Sequence, residues 1–400
     1  MRKQLFVMGV ALLLCSVLLF GYGTASAADA TQNTSAAPAQ EADASASVTE
    51  SVTVTVPFLE EWMGSPHADA ASEAFRHWDE EDPAEIPVEC AKCHSSTGFQ
   101  DFVGADGSDE GVVDAAVAPG TVVDCVACHN SGTINKDSVT MPSGLVLTNL
   151  GDESRCMECH QGRESKISVD QAITDVGVDL DTVSEELRFR NIHYYAAAAT
   201  KYGTLAKGGY EYDGLAYDGN FKHVAGYETC IGCHNSHTLE VKLEECAECH
   251  DDVEEIENVR DVRMAGSTVD YDGDGDLEEG IFYEVEGLQG ALFAAIQAYA
   301  SEVAGSPIAY DPAAYPYFFA DANANGAPDE GEEGFAAWTP RLLKAAYNYQ
   351  TSIKDPGSYV HGGKYIIQLL FDSMTDLNTA ITEQVDMTAM HRIDSGHFAG

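Results

Sequence analysis

The sequence predicts a mainly α-helical fold with extensive loops and few strands. Apolar residues recur at helical spacing in the last third of the chain, whereas alternating strand patterns are rare. The cysteine-bearing segments are too short for domains with large apolar cores of their own. Of 400 residues, 66 are acidic and 21 basic, and the net charge is −45. Nucleic acid and anionic membranes are disfavoured as partners because this charge repels them.

Residues 1–27 predict a secretory signal peptide. Arg2 and Lys3 precede an apolar run, and Ala25-Ser26-Ala27 forms a small-x-small cleavage site. A retained membrane anchor is the alternative, and Cys15 follows a residue too large for a usual lipoprotein signal. Residues 28–52 are rich in Ala, Ser and Thr and predict a disordered low-complexity linker. We therefore expect an exported protein, periplasmic or extracellular, with no stable membrane insertion after cleavage.

All other cysteines lie between residues 53 and 255, in five Cys-x-x-Cys-His motifs. From first to fifth, the motif residues are Cys90, Cys93 and His94; Cys125, Cys128 and His129; Cys156, Cys159 and His160; Cys230, Cys233 and His234; and Cys246, Cys249 and His250. This spacing is typical of covalent haem c attachment, in which two thioethers hold the porphyrin and the histidine binds iron. No cysteine is left over, which argues against a disulfide framework or a zinc site. We predict a domain of five covalent haems over 53–255, with the motif histidines as proximal ligands.

The segments between and after the motifs predict local structure in chain order. Before the first motif, Ala68–Trp78 predicts a short helix, and between the third and fourth, Ser184–Tyr202 predicts a helix that bears His193. Gly208–Phe221 then alternates Gly and Tyr as in a short hairpin. Residues 256–390 contain no cysteine and predict a helical, haem-free domain. Its three expected helices are Gly287–Val303, Thr339-Pro340 to about Ser352, and Lys364–Asn378.

The last ten residues, 391–400, form a predicted tail. Its sequence Ser395-Gly396-His397 is similar to Ser65-Pro66-His67 near the start of the first motif region. We interpret the tail as the start of a further module or as the source of a histidine for a neighbouring subunit.

Eight histidines lie outside the motifs, enough to supply a second, distal ligand to each of five irons. Sequence context favours five candidates and keeps one in reserve: His67, His193, His223, His237 and His361, with His77 in reserve. For example, His237 lies three residues after a motif histidine and can reach a neighbouring haem. Iron held by two histidines is closed to substrate and suited to electron transfer.

Two acidic loops match calcium-binding patterns. The first follows the template Asp-x-Asn-x-Asn-Gly-x5-Glu through Asp321, Asn323, Asn325, Asp329 and Glu332. The second begins in the same way through Asp270, Asp272, Asp274 and Asp276 but has isoleucine at its twelfth position, so it needs a further carboxylate such as Glu279 or Glu284. We expect Ca²⁺ to have a structural role here. A solvated acidic turn is the alternative.

The doubled pattern Cys230–His237 followed by Cys246–His250 resembles bacterial multihaem c-type cytochromes, including nitrite-reductase-related members. The resemblance implies a multihaem cytochrome c fold and covers residues 57–385 in scattered patches. In those relatives a histidine followed by Asn and a helix supplies a distal ligand. The segment Asp355–His361 is similar, although Gly362 stands where Asn is usual. Their catalytic haem has a Cys-x-x-Cys-Lys motif, which this chain lacks.

These observations favour an electron carrier of anaerobic or extracellular respiration over an enzyme, and we predict no catalytic residue. One alternative is a multihaem reductase of a small nitrogen or sulfur oxyanion with one open haem site. Another is a subunit of a polymeric cytochrome filament. The expected partners are redox proteins or other cytochromes, and copies of the chain itself in an oligomer or filament.

Overall fold

Short helices joined by irregular loops dominate a computed structural model, which describes residues 55–264 and 266–394. The predicted signal peptide and linker lie outside the described residues, as does His397. The helices are α1 Leu59–Met63, α2 Glu73–Arg76, α3 Val88–His94, α4 Ser96–Phe102, α5 Cys125–Cys128, α6 Glu153–His160, α7 Lys166–Val176, α8 Ala197–Tyr202, α9 Cys230–Cys233, α10 Leu243–Cys246, α11 Ile281–Tyr299, α12 Pro340–Lys354 and α13 Ser358–Asn378. Short 3₁₀-helices span Pro66–Ala68, Gly203–Leu205 and Ile256–Asp261, and a π-helix over Ala300–Ala304 extends α11. The prediction of a mainly helical fold with loops is confirmed.

Sheet structure is confined, in the described ranges, to two antiparallel pairs of three-residue strands. These are β1 Ser138–Thr140 with β2 Val146–Thr148, and β3 Ile308–Tyr310 with β4 Phe318–Ala320. Val139 lies opposite Leu147 in the first pair, and Ala309 lies opposite Phe319 in the second. Neither pair forms an extended surface, so helices and loops position the haem motifs.

The three helices predicted near the C-terminus are present. Helix α12 begins where its sequence signal predicts, because the Thr339 hydroxyl accepts a hydrogen bond from the Leu342 amide (3.1 Å) and Pro340 takes the first helical position. Helices α11 and α13 each begin six residues before the predicted start. Helix α13 is kinked at Gly362, where an added Cβ would lie 2.5 Å from the Thr200 carbonyl oxygen. Close packing against α8 therefore requires glycine at this position.

The helix predicted over Ser184–Tyr202 is wrong for most of its length, since only α8 is helical. Tertiary hydrogen bonds hold the preceding loop instead: the Ile192 carbonyl accepts from the Arg163 amide (2.9 Å), and the Tyr195 amide donates to the Lys354 carbonyl (2.7 Å). The helix predicted at Ala68–Trp78 is likewise reduced to α2. Helical periodicity here was overridden by contacts with distant segments.

The hairpin predicted over Gly208–Phe221 is also wrong. Three of its amides donate to side chains of α12 and α13, and no strand pairing forms within the segment. The Tyr210 amide donates to Asn348 Oδ1 (2.6 Å), and the Asp218 amide donates to Gln368 Oε1 (2.7 Å). The Gly-Tyr segment is therefore held against α12 and α13 as an irregular segment, in which residues 208–211 are buried and residues 213–216 are exposed.

The main apolar core joins α11, α12 and α13 to residues on α7 and the Gly-Tyr segment, so it draws on both sides of residue 255. The proposed division into a pentahaem domain and a haem-free domain stays a prediction. Two smaller clusters lie beside the motifs: Phe99, Val103 and Ala127; and Val139, Met141, Leu150, Met157, Ala198, Tyr202 and Ala206. No helix within the described ranges is both long and apolar enough to cross a membrane.

Candidate haem-binding sites

Nine of the ten motif cysteines lie on short helices, and Cys249 lies in the turn that follows α10. Residues three apart on a helix are neighbours on its surface, so a Cys-x-x-Cys turn sets two thiols side by side. The first four motifs occupy α3, α5, α6 and α9, and the fifth begins at the last residue of α10. All ten motif cysteines are unpaired by disulfides. They are therefore free to form thioethers.

Each motif histidine lies next to one histidine from outside the motifs. The ring centroids are 5.9 Å apart for His94 and His193, 6.3 Å for His129 and His237, 6.3 Å for His160 and His67, 6.4 Å for His234 and His361, and 6.0 Å for His250 and His223. No histidine is shared between two pairs. The non-motif histidines of these pairs are the five distal-ligand candidates that the sequence favours.

The separations match the geometry of two imidazoles on opposite sides of one metal ion. An imidazole nitrogen binds a metal at about 2 Å, and the ring centroid lies about 1 Å further out, so two such rings are separated by about 6 Å. Ordinary aromatic contacts cover a similar range. The repetition of one arrangement at all five motifs therefore carries more weight than any single distance.

Hydrogen bonds at Nδ1 orient several of these rings. His94 Nδ1 donates to the Ala74 carbonyl (2.7 Å), His160 Nδ1 to the Tyr195 carbonyl (3.0 Å) and His234 Nδ1 to the Leu239 carbonyl (3.0 Å). A carbonyl oxygen only accepts, so Nδ1 carries the proton and Nε2 keeps its lone pair. These bonds leave Nε2 as the metal-binding atom.

His361 has a carboxylate in this orienting position. Its Nδ1 lies 2.9 Å from Oδ1 of Asp355, which is only 2% exposed. Burial opposes the charged imidazole, but the Asp355 carboxylate outweighs burial and raises the pKa of His361. A buried carboxylate bonded to a ligating histidine increases the basicity of the ligand.

Burial lowers the pKa of most other histidines in the pairs. It lowers the pKa of His67 to about 4, with the neighbouring His160 as a second cause. It also lowers the pKa of His193 to about 4, assisted by the positive charge of Arg163. Burial is likewise the main cause that lowers the pKa of His94, His160, His223 and His234. Their imidazoles are neutral near pH 7, which is the form that binds metal.

The backbone at His193 is held in a left-handed conformation with φ of 80°, and Tyr195 has φ of 54°. Residues with a β-carbon rarely adopt this region, and such strain is frequent at functional sites. Here it turns His193 toward the first motif and the Tyr195 carbonyl toward His160 of the third motif. One short segment thus serves two motifs.

His77, the reserve candidate, has different neighbours. Its Nδ1 lies 2.8 Å from Glu73 Oε1 on α2, and its ring meets Trp78 edge-on at 4.9 Å. Trp78 in turn lies edge-on to His94 at 5.2 Å. His391 Nδ1 donates to the Asp270 carbonyl (2.7 Å). Neither histidine is placed opposite a motif histidine.

The second acidic loop brings carboxylates together more closely than the first. Oxygens of Asp270, Asp272 and Glu284 lie within 4.8 Å of one another, as do those of Asp272, Asp274 and Glu279. Burial and the neighbouring carboxylates raise the pKa of Asp272 to about 6 and that of Glu279 to about 7. Such mutual repulsion would be relieved by a hard cation. Asp276 instead caps the end of its own loop by accepting from the Glu278 amide (2.9 Å).

The first acidic loop is closed by its own hydrogen bonds. Asp321, 3% exposed, accepts from the amides of Asn325 (3.1 Å) and Gly326 (2.7 Å). The side-chain amides of Asn323 and Asn325 donate to Asp329, and Glu332 accepts from the Ala322 amide. These contacts give the loop its shape without gathering three carboxylates.

Sequence reasoning overlooked the charged residues that hold the motifs together. Glu158 and Lys92, inside the third and first motifs, form an ion pair, and Glu153 bonds to the fourth motif. The sequence does contain a signal for this ion pair: Lys92 and Glu158 are opposite charges at the variable positions between the cysteines of their motifs.

Comparisons with known proteins find similarity to c-type cytochromes. Residues 73–161, which include the first three motifs, match the family model described as cytochrome c7 and related cytochrome c. The C-type polyheme cytochrome OmcB of Geobacter sulfurreducens (strain DL-1 / KN400) is 28% identical over 412 residues, covering 82% of this chain and 49% of that protein. OmcC of G. sulfurreducens (strain ATCC 51573 / DSM 12127 / PCA) is 27% identical over 402 residues, covering 84% and 49%.

The chain therefore spans about half the length of the curated relatives it matches. No solved structure shows a significant match to it. The five attachment motifs and these similarities support a multihaem c-type cytochrome.

Proposed function

We propose that the chain is an exported five-haem electron carrier in which two histidines bind each haem iron. The observation that carries this proposal is the placement of one non-motif histidine opposite each of the five motif histidines. The proposed proximal and distal pairs are His94 with His193, His129 with His237, His160 with His67, His234 with His361, and His250 with His223. Haem bound in this way supplies one-electron oxidation and reduction at low potential.

The residues of each site fit this cofactor. Two thiols from one helical turn meet the requirement for thioether attachment, and the adjacent imidazole presents Nε2 because Nδ1 is occupied wherever a carbonyl partner is present. The chain also holds the second imidazole in place through backbone strain at His193 and through Asp355 at His361. Rigid, paired ligands keep substrate from the iron and limit structural change between oxidation states.

This arrangement favours an electron carrier over a reductase of a nitrogen or sulfur oxyanion. A reductase needs one haem with a face open to substrate, whereas an imidazole lies opposite every motif histidine. The acidic surface would also repel an anionic substrate. The partners we expect are other cytochromes or redox proteins in anaerobic or extracellular respiration. Assembly into a filament is the further alternative and depends on His397, outside the described residues.

We also assign a structural Ca²⁺ site to the second acidic loop, with Asp270, Asp272 and Glu284 as its central ligands. Carboxylate oxygens that lie within 4.8 Å of each other support it. A cation there would fix the loop against α11, on which Glu284 lies.

The spin state of iron tests the electron-carrier proposal. We expect five haems per chain by pyridine haemochrome assay and mass spectrometry, and only low-spin iron by magnetic circular dichroism in both oxidation states. Replacing any one distal histidine by alanine should convert one haem in five to high-spin iron. His77→Ala and His391→Ala are the matched controls and should leave all five haems low-spin. A high-spin haem in the unmodified protein would instead favour the reductase.

A further inference from the structure

The first and third motifs dock directly against each other. Lys92, between the cysteines of the first motif, lies 2.8 Å from Oε2 of Glu158, between the cysteines of the third. Lys136 lies 2.8 Å from the other oxygen of the same carboxylate. The Glu158 and Lys136 side chains are only 3% and 6% exposed. A buried carboxylate with two cationic partners stabilises one arrangement of the segments that carry it, because separating them would leave an unpaired buried charge.

The sulfur contacts around this ion pair are reciprocal. The Cys93 sulfur lies 3.9 Å from the carbonyl oxygen of Glu158, and the Cys159 sulfur lies 3.9 Å from the carbonyl oxygen of Lys92. Thioether formation removes the thiol hydrogens, so the approach of each sulfur to the backbone of the other motif, rather than a hydrogen bond, is what persists. Each motif thus faces the other in the same way.

The third motif is joined to the fourth on the other side of α6. Glu153, one turn before Cys156, accepts hydrogen bonds at Oε1 from the Cys230 amide (3.0 Å) and the Cys230 thiol (3.4 Å). Lys201 and the Tyr202 hydroxyl complete the shell of this buried carboxylate. The third motif therefore contacts the first through Glu158 and Cys159, and α6 contacts the fourth through Glu153.

The remaining two motifs have fewer connections. The fifth is tied to the fourth by Lys242, whose amide donates to the Cys233 carbonyl (2.9 Å) and whose carbonyl lies 3.6 Å from the Cys246 sulfur. The second is linked to α6 through Thr133, which donates to the Cys128 carbonyl (2.7 Å) and accepts from Arg155 (3.3 Å). The spatial order of the motifs therefore departs from their order in the sequence.

We infer that the third motif is the junction of the haem array, docked on the first motif by Glu158 and on the fourth by Glu153. Glu158 and Glu153 are positioning residues, and each one places its charge between two attached haems. The inference rests on the proposed five-haem function. It adds that the array is branched: it runs from the first motif through the third to the fourth and fifth, and the second motif joins it at α6 of the third.

Charge substitutions at the docking pair test the inference, with the potential of each haem followed by NMR-monitored redox titration of the complete haem-loaded protein. Each haem is assigned from the variant in which its distal histidine is replaced by methionine, which raises its potential. Glu158→Gln removes a negative charge and should raise the potentials of the first and third haems. Lys92→Met removes a positive charge and should lower the same two. Lys92→Arg should restore the original values.

Glu153→Gln should raise the potentials of the third and fourth haems, so that the third alone responds to both glutamate substitutions. The control is Asp372→Asn, because Asp372 is a buried carboxylate paired with Arg392 (2.8 Å) and neither residue belongs to a motif. Asp372→Asn should not shift the potential of any one haem more than the potentials of the others.

Opposite shifts in the Glu158 and Lys92 variants distinguish charge from loosened packing, which would move both variants in the same direction. Three results would contradict the proposed junction: a change in the potential of only one haem, an equal change at all five haems, or changes of the same sign in Glu158→Gln and Lys92→Met. Haem content and spin state are measured on the same samples. Five low-spin haems with the wrong pattern of shifts would reject only the junction, whereas a missing or high-spin haem would reject the proposed function itself.

Discussion

Asp355 is the residue through which we expect the chain to tune the fourth haem most strongly. Its carboxylate accepts from His361 Nδ1 and from the Gly357 amide (3.1 Å). Asp355→Asn keeps the size of the side chain and can retain the bond from Gly357. It presents a neutral amide to His361 in place of a charged acceptor, so the ligand becomes less basic.

The structure sets an upper limit on this effect. A hydrogen bond to a charged group contributes about 1.5–3 kcal/mol. We take this hydrogen bond to stabilise only the oxidised haem. Its loss then raises the potential by about 65–130 mV, since a tenfold change in a one-electron equilibrium constant corresponds to 59 mV. His160 also feels the Asp355 charge, so a smaller rise is expected at the third haem.

Haem-resolved redox titration measures both shifts, with Asp372→Asn again as the buried-carboxylate control. We expect the fourth haem to shift most, the third to follow in the same direction, and the others to change little. An unchanged fourth haem, with all irons still low-spin, would refute His361 as its ligand. A larger shift at a haem other than the fourth would refute the proposed pairing.

Two further predictions concern stability. Gly362→Ala places a methyl group against the Thr200 carbonyl and should lower the free energy of unfolding, measured by chemical denaturation, by about 1–3 kcal/mol. The control is Gly290→Ala on α11, where the added methyl group meets nothing within 4 Å and should be neutral or stabilising. Equal effects of the two substitutions would argue against the packing role of Gly362. The raised pKa values of Asp272 (about 6) and Glu279 (about 7) mean that the folded state binds more protons than the unfolded state between about pH 4 and 7. Without Ca²⁺, their contribution to the melting temperature should therefore fall as pH rises through this window and be restored by Ca²⁺; a melting temperature insensitive to Ca²⁺ at pH 8 would count against the cation site.

The residues that attach haem can be recognised in the sequence, because the attachment chemistry fixes the spacing of two cysteines and a histidine within about one helical turn. The distal ligands obey no such local rule. Context singled out His67 and His361, but their partners follow from how distant segments pack, and the pairing of His237 with the second motif crosses most of the haem region. The candidate distal histidines could therefore be named from the sequence, whereas the motif histidine that each one faces could not.

The same distinction holds for the fold. Helix α12 is specified locally by Thr339, Pro340 and apolar periodicity, and its predicted bounds are close to the observed ones. The Gly-Tyr segment at 208–221 bonds three of its amides to side chains of α12 and α13, so its alternation reflects packing against helices rather than pairing between strands. The conformation of such segments is decided by contacts with residues far away in the sequence. The local pattern of residue types does not predict these contacts.

Iron ligation by paired histidines would also cross-link the chain, and the length of each closed loop predicts how much each link stabilises it. His223 and His250 are 27 residues apart, whereas His129 and His237 are 108 apart. The entropy of closing a loop grows as (3/2)RT ln n, so the longer link should stabilise the fold by about 1.2 kcal/mol more than the shorter. His223 is exposed, whereas His237 is partly buried and its ring stacks on Phe58 at 4.4 Å, so Phe58→Ala is the control for the packing lost in His237→Ala. In urea unfolding of the oxidised protein, His237→Ala should therefore be the more destabilising of the two, and an equal or greater loss in His223→Ala would show that these ligands do not act as cross-links of the proposed pairs.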